Sequence, residues 1–147
     1  MPEELDDIQE IFDEAEFDPD TESFYTRRTL HSSTIYNDQQ RGIFDTLKEH
    51  NIDNDEGGLY NFDAPGGSGK TFLANVILAY VRKDDKVALA MALSGIAATL
   101  LKLGTTFHRR FGVPIPCLSD SSSRIGLNSK QAKLIREAKI IIKMKFQ

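Results

Sequence analysis

Apolar positions change their period repeatedly along this chain, and each change predicts a different element. Ile43, Phe44 and Leu47 recur about one helical turn apart behind Asn37 and Asp38, either of which can cap a helix running to about His50. Asn51 to Gly58 is polar and predicts a loop. Leu59-Tyr60-Asn61-Phe62-Asp63 alternates apolar and polar residues and carries two aromatics, as a strand does. Phe72, Leu73, Val76, Ile77, Tyr80 and Val81 return to helical spacing, with no Gly or Pro until well past Lys83. After an Asp84-Asp85 turn, Val87 to Leu93 is an unbroken apolar run, the pattern of a strand buried on both faces of a parallel sheet. Ser94-Gly95 then turns into a helix over Ile96 to Leu103. Residues 112–128 hold two prolines and a serine triplet and predict a loop. A last helix, about Ser129 to Ala138, leads into a third strand candidate, Lys139-Ile140-Ile141-Ile142. Strands alternating with helices imply an α/β fold, a mostly parallel sheet flanked by helices.

Between the first strand candidate and the second helix lies the chain's most specific chemistry. Ala64-Pro65-Gly66-Gly67-Ser68-Gly69-Lys70-Thr71 fits the phosphate-binding pattern G-x-x-x-x-G-K-[ST] at every fixed position but the first, where Ala replaces Gly. Glycines let such a loop turn its N–H groups inward around a polyphosphate. Lys70 can set its ammonium against the β- and γ-phosphates, and the Thr71 hydroxyl suits a Mg²⁺ ligand. The helix starting near Lys70 adds its positive dipole end to the same site. Ala64 matters only where that position needs a positive φ. Strand, glycine loop and helix follow in the required order, so the segment reads as an ATP or GTP site.

Composition narrows the remaining possibilities. At 147 residues and 40% apolar content, the chain can bury one modest core. No apolar stretch is long enough to span a membrane, and the acidic N-terminus does not resemble a signal peptide. One cysteine, Cys117, rules out an internal disulfide framework and reads as an incidental loop thiol. The net charge of −4 conceals an asymmetry: residues 1–22 hold eleven acids and no base, leaving the rest at +7. After Lys86 only Asp120 and Glu137 oppose ten Lys or Arg residues. A basic body of this kind suits a polyanion. The leader either masks that surface or is a solvated tail, and Leu5, Ile8, Phe12 and Ala15 give it a short amphipathic helical pattern ended by Asp18-Pro19. Residues 23–36 lack a clear period and read as a linker, so 1–36 form a partly disordered leader and 37–147 a domain.

Four blocks together resemble the first ATPase domain of the petite-integration-frequency (PIF-type) DNA helicases of superfamily 1, nearest the branch found in Helitron-type transposons. Asn37-Asp38-Gln39-Gln40 is similar to the family's glutamine motif, and Asp63 to Leu73 to its phosphate loop. Ala92 to Leu101 resembles its motif Ia. Gly104-Thr105-Thr106-Phe107-His108-Arg109-Arg110-Phe111, followed by Val113-Pro114-Ile115-Pro116, resembles its Thr-x-His block. The resemblance implies a P-loop NTPase (RecA-like) fold and an ATP-dependent, 5′-to-3′ DNA helicase using Mg²⁺, with nuclear work in DNA repair and recombination. It also implies that Gln40 reads the adenine edge, beside the loop residues Ala64, Pro65, Gly66, Gly67, Ser68, Gly69, Lys70 and Thr71. Ser94, Gly95, Thr106 and His108 would contact single-stranded DNA, and Phe107 and Phe111 would stack on bases or pack in the core.

The chain departs from that family where its catalytic acids are expected. The third strand should end in Trp-Asp-Glu, whose carboxylates support Mg²⁺ and orient the attacking water. Lys143-Met144-Lys145 stands there instead. The expectation is therefore an incomplete first motor domain, an N-terminal fragment without the arginine finger or the second motor domain. Two other readings stay open: a non-catalytic ATP- and DNA-binding remnant, and a small-molecule kinase, for which no lid or substrate carboxylates are visible. Protein partners are not legible.

Overall fold

The computed structural model describes residues 37–145. The leader and linker expected over 1–36 lie outside the described residues, as do the last two positions.

Helix α1 spans Asp38–Leu47. Asn37 caps it in extended conformation, its side-chain oxygen accepting from the Gln40 amide at 2.8 Å. The chain then widens into a π-helical turn, Lys48–Asp53, so helical structure runs past His50 into the stretch from Asn51 where a polar loop was expected. The reason is Ile52, which is buried with Leu78, Val81 and Ala88 and draws this otherwise polar stretch onto the core. His50 hydrogen-bonds Glu56 at 2.9 Å, and that bond raises the imidazole above its ordinary pKa.

Helix α2 covers Lys70–Arg82. A tight turn joins it to strand β1, Val87–Ala92. Helix α3, Gly95–Thr99, leads to strand β2, Gly104–Thr106, and then to helix α4, Phe107–Phe111. Helix α5, Lys130–Glu137, runs directly into strand β3, Ala138–Met144. The sheet is parallel, ordered β2-β1-β3. Ala92 stands opposite Thr106 on one side and Met144 on the other. Parallel pairing needs a crossover for each strand, which is why a helix separates every pair.

Strand alternation divides the core between two faces. Ala88 and Ala90 pack with Ala74, Leu78 and Val81 of α2, and Ile140 and Ile142 join them from β3. Leu47 of α1 closes on Leu73 and Ile77 of α2. Ala92 meets Ala97 and Ala98 of α3, with Met144 against them. Leu89 and Met91 are buried on the opposite face. There α4 is tied to α5 by the Gln131 side chain, which donates to the Arg109 and Arg110 carbonyls at 2.8 and 2.7 Å. Leu78 is fully buried. Leu78→Ala is expected to cost about 3 kcal/mol, measured as a shift of the urea midpoint with an unchanged slope.

Two further expectations need correction. Leu59 to Asp63 is not a strand: it joins no sheet among the described residues, and Leu59 is fully exposed. Alternation marks a strand only where a neighbour supplies backbone partners, and this segment takes none among the described residues. The helix expected over Ile96 to Leu103 ends at Thr99, because the chain must turn back to form β2. Strand β2 itself gave no apolar run. Gly104 makes its entry possible, since a Cβ there would lie 2.3 Å from the Ala98 carbonyl oxygen. Arg110, unlike its exposed neighbour Arg109, is buried.

Candidate nucleotide and nucleic-acid site

The sequence of α2 and β1 dictates where the phosphate loop lies. Thirteen helical residues rise about 20 Å, and six strand residues extend about 20 Å. The turn joining them sits at the start of β1, and α2 packs along the sheet. The N-terminus of α2 therefore lies at the C-terminal ends of the strands, where open α/β sheets bind ligands.

The loop has the backbone that anion binding requires. Gly67 and Gly69 adopt φ of 77° and 84°, the left-handed region. Gly69 is the N-cap of α2, so the helix begins without a side-chain cap and without an acid in its first turn. Its first N–H groups have no intrahelical acceptor and point toward the loop. A side chain at Gly69 would be strained at that φ and would also push aside the end of the Gln40 side chain. Ala64 is not among the residues of positive φ, which explains why Ala serves there as well as Gly. The Lys70 ammonium donates to the Ala64 carbonyl, spanning the loop from helix start to loop start. The Ser68 hydroxyl is buried within the loop with no hydrogen-bond partner.

These features fit a polyphosphate: inward amides, a cation across the mouth and a spare hydroxyl. For Mg²⁺ the fit is thinner. Thr71 supplies a hydroxyl at the helix start, but the described residues contain no group of three His, Cys, Asp or Glu side chains able to hold a metal. A metal there would be held by Thr71 and the nucleotide's own phosphate oxygens.

Gln40 meets the loop directly. Its Nε2 donates to the Ser68 carbonyl at 2.9 Å, across 28 residues of sequence. Sequence reasoning had no sign of the Ser68 bond.

The four expected nucleic-acid residues gather at the same end of the sheet. Ser94 follows β1, and its hydroxyl caps α3 by accepting from the Ala97 amide at 3.2 Å. Gly95 opens that helix. Thr106 ends β2 and caps α4, accepting from the Arg109 amide at 3.3 Å. Both hydroxyls still carry a proton to donate. His108 lies within α4, its ring edge-on to Phe107 with centroids 5.9 Å apart. Phe107 and Phe111 face each other at 5.1 Å, so they pack mutually rather than project as two separate platforms. Arg109 is exposed beside them.

Lys143 was legible only as a departure from a pattern. Its register opposite Met91 carries its ammonium to 4.8 Å from the centre of the Phe107 ring, a cation–π contact. The end of β3 thus presents the Lys143 cation toward the Thr106 to His108 block. No spacing rule connects residues 107 and 143; only the parallel pairing does.

A phosphate loop at the head of a helix, on a parallel sheet with helices on both faces, defines a P-loop NTPase domain. A model of the PIF1-like helicase family matches residues 35–145, and the chain belongs to that family. Membership gives its general kind, a helicase domain among the hydrolases. None of the curated proteins matches the chain. Among the described residues, no helix is long and apolar enough to cross a membrane.

Proposed function

We propose that this chain binds ATP and single-stranded DNA as the first motor domain of an ATP-dependent DNA helicase. One observation carries the reading: the phosphate loop and the Ser94, Thr106 and His108 block share the C-terminal end of one sheet. Nucleotide at the loop and a strand along β1 and β2 would then be read by adjoining segments of one rigid layer. Gln40 favours ATP over GTP, since its free acceptor oxygen suits adenine's amino group and opposes guanine's carbonyl. Bound Mg²⁺ would supply neutralisation of phosphate charge, with Thr71 as its protein ligand. Residues 37–147 form the motor portion and 1–36 its leader. The 5′-to-3′ polarity, the Helitron-type branch, the nuclear location and the part in repair and recombination follow from family resemblance alone.

A binding-only form of this function is favoured by a specific observation. Lys143 and Lys145 stand where the family's acids support metal and water, and opposite charge there repels Mg²⁺. The chain therefore reads as a binder of ATP and DNA that does not turn over.

Fluorescence anisotropy with an oligothymidine probe tests the nucleic-acid half. Sequence-independent binding is expected at low salt, falling steeply as salt rises through counterion release. Arg109→Ala is expected to flatten the logarithmic salt slope by about 0.7, one single-strand phosphate contact. Arg110→Ala should instead lower stability, because that side chain is buried. No binding at low salt by a folded chain would turn the reading toward a small-molecule kinase.

A further inference from the structure

Helix α3 leaves an apolar face uncovered at the edge of the nucleic-acid site. Ala97 and Ala98 turn inward against Ala92, whereas Ile96 is 84% exposed and Leu100, at the C-cap, 50%. Leu93, just before the helix, is 45% exposed. Ile96 and Leu100 are four residues apart and share one side of the helix, and Leu93 stands just ahead of the extended Ser94 cap. Cations lie close by. Met144 packs beneath α3, its neighbour Lys145 is exposed, and Lys143 stands over Phe107 of α4.

The same chain carries a segment of complementary chemistry. Leu5, Ile8 and Phe12 recur at helical spacing, and the eleven acids of residues 1–22 surround them without a single base. Such a segment buries three apolar side chains only when it meets an apolar strip bordered by positive charge. The tether is long enough. Residues 23–36, at about 3.3 Å each, reach up to roughly 46 Å, against a radius of gyration of about 13 Å for a domain this size.

We propose that residues 5–16 dock on the Leu93, Ile96 and Leu100 face of α3, and that their acids cover the cations beside Thr106 and His108. The leader is then an intramolecular competitor of nucleic acid. Because it is tethered, it acts at high effective concentration, and only a strand long enough to engage several cations at once displaces it. Salt weakens both partners, but the apolar contacts keep the leader in place where a purely ionic tail would be released. The competition rests on the single-strand reading; the docking does not.

Two measurements on the full chain separate these claims. Leu5→Ser, Ile8→Ser and Phe12→Ser together remove the apolar stripe and leave every charge in place. Amides of residues 94–101 are expected to exchange with deuterium about tenfold faster in this variant than in the unaltered chain. Oligothymidine is expected to bind the variant about tenfold more tightly at low salt. Equal exchange in α3 overturns the docking, whatever the DNA does. Faster exchange with no DNA binding by either chain upholds the docking and removes the single-strand reading. Faster exchange with equal DNA affinity upholds the docking and overturns the competition. Protection of α3 that grows with protein concentration, alongside a dimer in sedimentation, assigns the face to the leader of a second copy and overturns the arrangement within one chain.

Discussion

Lys70→Ala is expected to weaken ATP binding by about ten- to a hundredfold, the largest loss from any single substitution in this chain. Its ammonium is the cation of the loop, already held across the loop mouth by the Ala64 carbonyl and so placed before any ligand arrives. Exchanging one neutral carbonyl for the β- and γ-phosphates replaces a dipole by two anions. A charge-assisted contact of this sort contributes about 1.5–3 kcal/mol. Calorimetric titration with ATP checks it. Equal affinity in the two proteins would falsify the phosphate-loop assignment. Lys70→Arg provides a control, because it keeps the charge while its longer, planar head fits the loop poorly, and an intermediate affinity is expected.

Phosphate release from ATP is expected to stay at background with or without single-stranded DNA. Hydrolysis in phosphate-loop enzymes needs a carboxylate to support Mg²⁺ and a group to orient water, and a transition-state arginine alone is worth about 10³–10⁵ in rate. The end of β3 brings Lys143, Met144 and Lys145 to the strand position from which such carboxylates would act. Lys143 is further engaged by the Phe107 ring, so it is directed toward the nucleic-acid block. A phosphate-release assay with purified protein and oligothymidine measures this. DNA-stimulated turnover would overthrow the binding-only form and require another acid, with Asp63 beside the loop the first to replace by Asn.

The backbone of the glycine loop and the start of α2 are local in sequence and were legible there. Loop, cap and helix lie within twenty consecutive residues, and the geometry of a turn depends on the residues that make it. Gly67 and Gly69 adopt the left-handed backbone for which glycine is suited, and α2 starts at Lys70 as its apolar spacing requires. The caps of α1, α3 and α5 are short polar side chains at the expected helix starts, from Asn37 to Ser129, whereas α4 and its Thr106 cap were not expected. The buried run Val87 to Ala92 likewise declares a strand covered on both faces, and the isoleucines of β3 declare a strand, of which Ile141 stays exposed.

Tertiary structure alone decided what depends on partners distant in sequence. Leu59 to Phe62 has a strand's alternation yet pairs with nothing among the described residues, since strand formation requires backbone partners that alternation cannot guarantee. Strand β2 has only three residues and no apolar run, and forms because β1 offers its edge to Gly104 through Thr106. Gln40 reaches the Ser68 carbonyl because α1 folds back against α2, and Lys143 reaches Phe107 because β3 lies beside β1 rather than β2. By itself, the sequence determined the α/β alternation, the phosphate loop and the uneven distribution of charge, all properties of neighbouring residues. The order of the strands, and therefore which end of the sheet gathers nucleotide and nucleic-acid residues together, was decided by packing, because hydrogen-bonded pairing acts between segments far apart along the chain.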